Sequence, residues 1–432
     1  MRFIDPQGLF GAIFFGLIAV VFLGLALRMA RKRRLLDDTP ISKVLGVFIG
    51  EVQLEGQCVV QQPFTSYLTE KPSVMYRWNV KEEWQRWETE TYQDKDGNTH
   101  TRQVSRSGWI TVAEGGESAG FYLKDETGYL WVRPEGADIE YLNFLSQDVM
   151  IGDPYYFLKG PEGSIGDSTG RRRFFEEGIP MGTTLFVHGR ARERKDIVAA
   201  EIAADPQAEM FVITPRKEKE LSSGKNAWYW FLSLFGLAAA CLVGASVSSH
   251  ERVTPLIKAA PIIITTLLYL GLWTIGWVWM AFNSLVGLRN RVRQAQSLID
   301  VQLKRRADLI PRLVSCLQGF RAHEAEVQTM VAQMRTATSG AKVNAVSPTL
   351  TALVEKYPDI LAVDSFNQLK DNLVETENRL ALAREYYNNI VTFFNTRLER
   401  VPDGQVAKLM AMQPAELFQM VGIERAQPVI KF

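Results

Sequence analysis

Three stretches of the chain are apolar for long enough to cross roughly 30 Å of hydrocarbon as helices. The first covers residues 8–28 and opens GLFGAIFFGLIAVVFLGLAL without a charge. The second covers 227–247 and begins with Trp228, Tyr229 and Trp230; the third covers 259–282 and ends among Trp273, Trp277 and Trp279. Rings at span ends suit the headgroup belt, where an amphipathic aromatic is favoured. Between the first two spans, over 36–215, the pattern alternates with period two, as in GVFIGEVQLEG, VMYRWNV, GWITVA and GFYLKD. That is the mark of half-buried strands. DKDGN, Gly115-Gly116 and DETG punctuate the runs as turns, and the first of these predicts an exposed hairpin. TTLFVHGRARER followed by DIVAAEIAA predicts a further strand pair, and a short helix is expected around Glu140–Gln147.

After the third span the period becomes helical. Leu285, Leu288, Val292, Ala295, Ile299, Leu303, Leu309 and Leu313 recur on one stripe, and nothing breaks it after Phe282. The third span is therefore expected to continue into water as one long helix, kinked at Pro311. A second long helix is predicted over 365–399, with Phe366, Leu373, Leu380, Ala383, Ile390 and Phe394 on its stripe. A polar connector (336–348) and a short helix near 350–356 are expected between them, and Pro402-Asp403-Gly404 should stop the second helix. The fold class is thus a multidomain α+β membrane protein. It combines three spanning helices, a mainly antiparallel β-barrel or sheet domain, and an elongated helical bundle over 283–402. Residues 1–7 and 248–258 are short outer segments, and 403–432 is a tail.

Charge orients this arrangement. Arg28, Arg31, Lys32, Arg33 and Arg34 follow the first span, where an uncleaved anchor rather than a signal peptide is expected. Arg216, Lys217, Lys219 and Lys225 precede the second span and Arg289, Arg291 and Arg293 follow the third, whereas the connector between those spans carries Arg252 and Lys258. The positive-inside rule then places the N-terminus outside and both soluble domains in the cytoplasm, with a bacterial inner membrane as the expected location. The basic run 28–34 is also expected to meet anionic lipid headgroups.

The whole chain is nearly neutral, with 49 Lys+Arg against 48 Asp+Glu, so no basic field invites nucleic acid. Tyr76, Trp78, Trp84 and Trp87 could stack on bases, but Glu82, Glu83, Glu88 and Glu90 interleave with them and oppose a phosphate partner. Asp125 and Glu126 sit in a turn, where acids serve the backbone, and His188 lies in an apolar strand as a structural residue. No nucleophile–base pair and no cofactor motif stands out. Cys58, Cys241 and Cys316 fall in separate segments, which argues against a disulfide framework.

Two resemblances follow from longer stretches. DDTPISKVLGVFIGEVQLEGQ, PFTSYLT, VMYRWNVKEE, FYLKDETGYLWVRPEGADI and EEGIPMGTTLFVHGRA resemble the GIDE domain of membrane-bound ubiquitin ligases. Such ligases end in a zinc-binding RING, which needs closely spaced Cys and His pairs. Here His100, His188, His250 and His323 are isolated and no CxxC occurs, so the resemblance does not carry ligase activity. NSLVGLRNRVRQAQSLIDVQLKRRADLIPRLVSCLQGFRAHE and the run from Lys356 to Pro402 resemble the LemA family. Asn283, Arg289, Asn290, Asp300, Gln302, Arg305, Arg306, Asp308 and Pro311 match its first half, and Arg384, Tyr387, Asn388 and Asn395 its second. Gln296 stands where a tryptophan is usual and Arg312 where an asparagine is usual. LemA proteins are membrane-anchored bundles without a defined activity, so the resemblance implies fold. For Arg305, Arg306 and Asp308 a salt-bridge network inside the bundle is preferred over a binding surface.

A non-enzymatic membrane scaffold that self-associates, or docks other membrane or envelope proteins, is the expected function. A ligase-like enzyme and a lipid- or small-molecule-sensing regulator built on the β domain are the alternatives.

Overall fold

The computed structural model describes residues 6–93, 97–194, 199–248, 255–320 and 364–418. It is an α+β membrane protein that divides into two compact units: residues 41–220, and residues 1–40 with 221–432. The expected connector at 336–348 and the short helix at 350–356 lie outside the described residues.

The first unit is built of strands. These are β1 (Ile41–Ser42), β2 (Gly50–Val59), β3 (Phe64–Thr65), β4 (Pro72–Gln93), β5 (Thr99–Ser118), β6 (Phe121–Lys124), β7 (Tyr129–Val132), β8 (Asp138–Ile139), β9 (Leu142–Met150), β10 (Ser168–Pro180), β11 (Thr184–Glu193), β12 (Ala200–Ile202) and β13 (Val212–Thr214). In one sheet β2 pairs with both β6 and β11, β6 with β7, β7 with β12, and β12 with β11. The path returns to its start, so these five strands close into a small barrel, which removes its open edges. Alternate side chains fill it: Leu54, Leu123, Val132, Leu185, Val187 and Ile202 are all fully buried. Short parallel pairings, β1–β2, β7–β12 and β8–β13, interrupt an otherwise antiparallel pattern.

The second sheet runs β3-β4-β10-β9, with β5 on β4. β4 and β5 form the hairpin expected from DKDGN, and Gly97 takes φ +85°, a conformation that suits glycine. β10 accompanies β4 only as far as the Ser168–Trp84 pair, so 85–93 and 99–107 run on as a two-stranded ribbon. The helix expected around Glu140–Gln147 is instead strand β9. Its apolar residues are spaced in a way that fits either period, and pairing along β10 decides for the strand. The helix of this region, α2 (Pro154–Leu158), follows it; Asp153 caps it by accepting from Tyr155 N at 2.8 Å, with Pro154 in its first turn.

The second unit is helical: α1 (Pro6–Asp37), α3 (Glu218–Ser248), α4 (Pro255–Phe320), α5 (Asp364–Glu399) and α6 (Asp403–Leu409). Three of these contain stretches long and apolar enough to span a bilayer, at Leu9–Asp37, Ser223–Val247 and Ala259–Leu313. Small residues let them approach. A Cβ on Gly244 would overlap the backbone of Ile262, and one on Gly236 would overlap the Tyr269 ring. Tyr269 also donates to the Ser233 carbonyl at 3.0 Å, which links α3 and α4 by a polar contact. Ala26 and Ala30 of α1, Tyr229 and Leu232 of α3, and Met280 of α4 share one core. α4 is the continuous helix expected. At 66 residues it is about 100 Å long, far more than a bilayer requires, and it runs through Pro311. Beyond the span its stripe Leu288, Val292, Ala295 packs on Ile390, Val391 and Phe394 of α5, and Ile299 on Leu380 and Ala383.

Candidate polar junction and peptide-holding face

Two polar constellations in the helical unit join elements distant in sequence. The first lies where α1, α4, α5 and α6 meet. Asp38, one residue past α1, is 5% exposed and Asp403, the first residue of α6, is 3% exposed. Arg397 of α5 bridges them, donating Nε to Asp38 Oδ1 at 3.0 Å and Nη1 to Asp403 Oδ2 at 2.9 Å. Arg34 of α1 grips Asp403 from the other side, Nη2 to Oδ1 at 2.8 Å and Nη1 to Oδ2 at 3.1 Å, and its guanidinium lies 5.6 Å over the Trp277 ring. Arg291 of α4 donates to the Asp38 carbonyl at 3.0 Å and to the Thr39 hydroxyl, and Ser284 donates to Asp38 Oδ2.

Three cations thus surround two carboxylates. Burial pushes the Asp38 carboxyl above its ordinary range, and Arg397, Ser284, Arg291 and Arg34 pull it back without fully offsetting that effect. For Arg397 burial acts to lower the pKa, but Asp38 and Asp403 outweigh it and hold the guanidinium above its ordinary value. Tyr386 is pushed up to about 12 by burial, against the opposing pull of Arg291. A buried pair of this kind fixes geometry more than it adds stability, because desolvation offsets most of the attraction.

The second constellation is on α5. Asn395 donates to the Ala415 carbonyl at 2.8 Å and accepts from Ala415 N at 2.9 Å. Asn388 accepts from Phe418 N at 2.8 Å, and Tyr387 donates to the Glu416 carbonyl at 2.9 Å. The Arg384 guanidinium lies 4.9 Å over the Phe418 ring. Spacings of three to four, and seven, residues place these side chains on one face of the helix. That face holds the chain after α6 by its backbone, much as a neighbouring strand would. The region treated as a tail from residue 403 therefore opens with a helix and continues, to 418, as a bound segment.

Of the five basic residues assigned to lipid headgroups, Arg28 and Arg31 are exposed and Lys32 is half-buried. Arg33 stays partly exposed, its side chain 39% accessible, whereas Arg34 turns into the protein. Arg33 donates to Asn226 Oδ1 at 2.6 Å, and Arg34 is held by the buried Asp403 carboxylate. In the first LemA-like run, Asn283, Arg289, Asn290, Asp300, Asp308 and Pro311 lie exposed along α4, with Gln302 and Arg305 half-buried. Arg306 is buried and meets Glu377 of α5 at 3.3 Å. The structure thus gathers Arg384, Tyr387, Asn388 and Asn395 into one site and leaves most of the first run on an open face. Asp38 and Arg397 escaped sequence reasoning, which read Arg291 only as part of a basic flank and Asp403 only as part of a helix stop; the stretch of charge on either side of Asp38 hid a residue that is buried.

In the β unit, Asp125 serves its turn: Oδ1 accepts from Thr127 N at 2.7 Å and Gly128 N at 3.1 Å, and Oδ2 from Val44 N at 2.8 Å. His188 is fully buried in β11, 3.5 Å from Glu51. Among the described residues no three His, Cys, Asp or Glu side chains converge on a metal.

Comparison with known proteins finds two families along the chain. Residues 295–432 match the LemA family, so the C-terminal part is a LemA-family domain. Residues 88–247 match the GIDE family, described as E3 Ubiquitin ligase. Protein LemA of Metamycoplasma hominis is 26% identical over 155 residues, 33% of this chain and 71% of that protein. Magnetosome protein MamQ 2 of Paramagnetospirillum magneticum is 37% identical over 70 residues, 16% of this chain and 26% of the relative. Magnetosome protein MamQ of Magnetospirillum gryphiswaldense is 29% identical over 69 residues, 16% of this chain and 25% of the relative. The chain spans about a quarter of the length of those magnetosome proteins.

Proposed function

We propose that this chain is a non-enzymatic scaffold of a bacterial inner membrane, which assembles with copies of itself and displays its β domain and helical bundle on the cytoplasmic side. The observation that carries this reading is the junction of Arg34, Asp38, Arg291, Arg397 and Asp403. It ties the end of the first span to the long helix and to α5 and α6, so these elements are held as one body against the membrane anchor. A rigid, membrane-fixed helix pair with an open polar face is suited to lateral assembly. Asn283, Arg289, Asn290, Asp300 and Asp308 lie along the exposed side of α4 and supply that face. The basic flanks of the three spans support the cytoplasmic placement.

The test is the mass of the full-length protein, purified in mild detergent and measured by light scattering. A discrete multiple of 48.8 kDa is expected. Paired charge reversals at Arg289 and Asp300 should reduce it toward one chain. A clean monomer at all concentrations would overturn self-assembly and leave docking of another membrane protein as the role.

A further inference from the structure

The short helix α6 sits against the third span at the level where that span leaves the apolar region. Its buried residues Val406 and Ala407 share a core with Ala281 and Leu285 of α4, against which Trp277, Val278 and Phe282 also pack. Its first residue, Asp403, is held by Arg34, and Arg34 covers the Trp277 ring. Trp277 to Leu285 is eight residues, about 12 Å of helix rise. That interval includes the end of the apolar run at Phe282, the level at which a spanning helix meets the aromatic belt.

The outward side of the same segment is unusual for a surface in water. Leu409 is 82% exposed, Val401 72% and Met410 50%. Helical spacing puts Lys408 on one flank of that side and Leu409 on the other, about 100° apart, with Gln405 between them. One flank is thus cationic and the other apolar, which is how a helix lies in the plane of a membrane interface. Continuity argues for lipid as the cover of the apolar flank: the surface it packs beside belongs to a helix long and apolar enough to span a bilayer.

We propose that α6, with Val401 before it and Met410 after it, is an interfacial anchor. Its Leu409 flank is immersed in the lipid boundary and Lys408 reaches toward the phosphate groups. The bundle is then attached to the membrane at two places, through the long helix and through α6. The Arg34–Asp403 pair sets the depth of the second attachment.

The test uses the full chain with an environment-sensitive fluorescent amino acid at Leu409, in nanodiscs of phosphatidylcholine and phosphatidylglycerol. Parallel probes at Leu267, exposed within the third span, and Thr89, exposed on β4, give the lipid and water limits. Doxyl-labelled lipid is expected to quench Leu409 nearly as well as Leu267, and iodide to quench it at least about threefold less than Thr89. A probe at Lys408 should remain open to iodide. Iodide quenching at Leu409 equal to that at Thr89 would overturn the proposal. So would protection from both quenchers, which would mean that protein covers the flank. Should the residue at 409 disturb folding, judged by gel filtration, the same pair of quenchers at Met410 decides between these outcomes.

Discussion

The Asn395 side chain and the Ala415 backbone are joined by two hydrogen bonds, at 2.8 and 2.9 Å, each group acting as both donor and acceptor. A carboxamide on a helix therefore replaces the strand that an extended segment would otherwise need. Both bonds are lost in Asn395→Ala, which leaves two part-buried backbone groups without that partner. The expected cost is about 1–3 kcal/mol. Hydrogen exchange should localise it: the amides of Ala415 and Phe418 should speed up while those of α4 keep their protection. Unchanged exchange at Ala415 would show that the segment is held by other contacts.

Arg34 and Asp403 lie 369 residues apart in sequence, with side chains 13% and 4% exposed. Removing the carboxylate in Asp403→Ala takes from Arg34 and Arg397 the acid that both contact. Loss of one partner from a buried pair costs about 3–5 kcal/mol, so the thermal unfolding of the helical unit should fall sharply. Arg34→Ala should cost less, because Arg397 still satisfies Asp403. The double variant should fall short of the sum, and strict additivity in that cycle would mean the two residues are not coupled.

Most of the architecture was legible because period alone carries it. Three apolar runs, the alternating runs of the β unit and the stripe on α4 each declare their element. The DKDGN turn likewise fixed the long hairpin. β9 was misread because Leu142, Phe144, Leu145 and Val149 fit a helix or a strand equally, and only β10 decides. The site was half legible. Tyr387, Asn388 and Asn395 were marked by a family resemblance, but the segment they hold has no periodicity of its own. Arg34 read as one more residue of a basic flank, since burial of a charge depends on a carboxylate that arrives from the far end of the chain.

Acid should loosen the β unit before the helical junction. Glu82, Asp125 and Asp148 all have pKa values below their ordinary 4.5, 3.8 and 3.8. For Glu82 and Asp125 burial acts upward and is outweighed by hydrogen bonds, from Ser168 and Arg172 in one case and Thr127 and Val44 in the other. For Asp148 the bond from Arg173 leads. An acid with a depressed folded pKa contributes stability that is present above its unfolded value and lost as pH falls through the folded one. Asp38 has the opposite sign: its raised pKa means that protonation favours the folded form. Between pH 7 and pH 3 the β unit should therefore lose stability, with the loss concentrated below about pH 4.5. Separate near-ultraviolet and exchange probes of the two units would show it. A helical junction that opens first would contradict the assignment of Asp38.

A fully buried charge of the β unit gives the last prediction. Arg172 is fully buried, and its donors are shared among Glu82 at 2.9 and 3.0 Å, the carbonyls of Tyr156 and Pro161 at 2.8 Å each, and that of Gly163 at 2.6 Å. Glu82 in turn accepts from Tyr156 Oη at 3.1 Å and from Ser168 Oγ at 2.5 Å. One guanidinium therefore holds the first half of the glycine-rich connection between α2 and β10, at Pro161 and Gly163, while Ile165 N donates to the same Glu82 at 3.3 Å. Arg172→Leu fills similar space but leaves a carboxylate and three carbonyls without their donor. It should destabilise by about 3–5 kcal/mol and release residues 159–167 to exchange. Pairing it with Glu82→Leu removes the orphaned charge and should recover part of the stability, though not the protection of the loop. If both were recovered together, the connection would be shaped by its own backbone and not by Arg172.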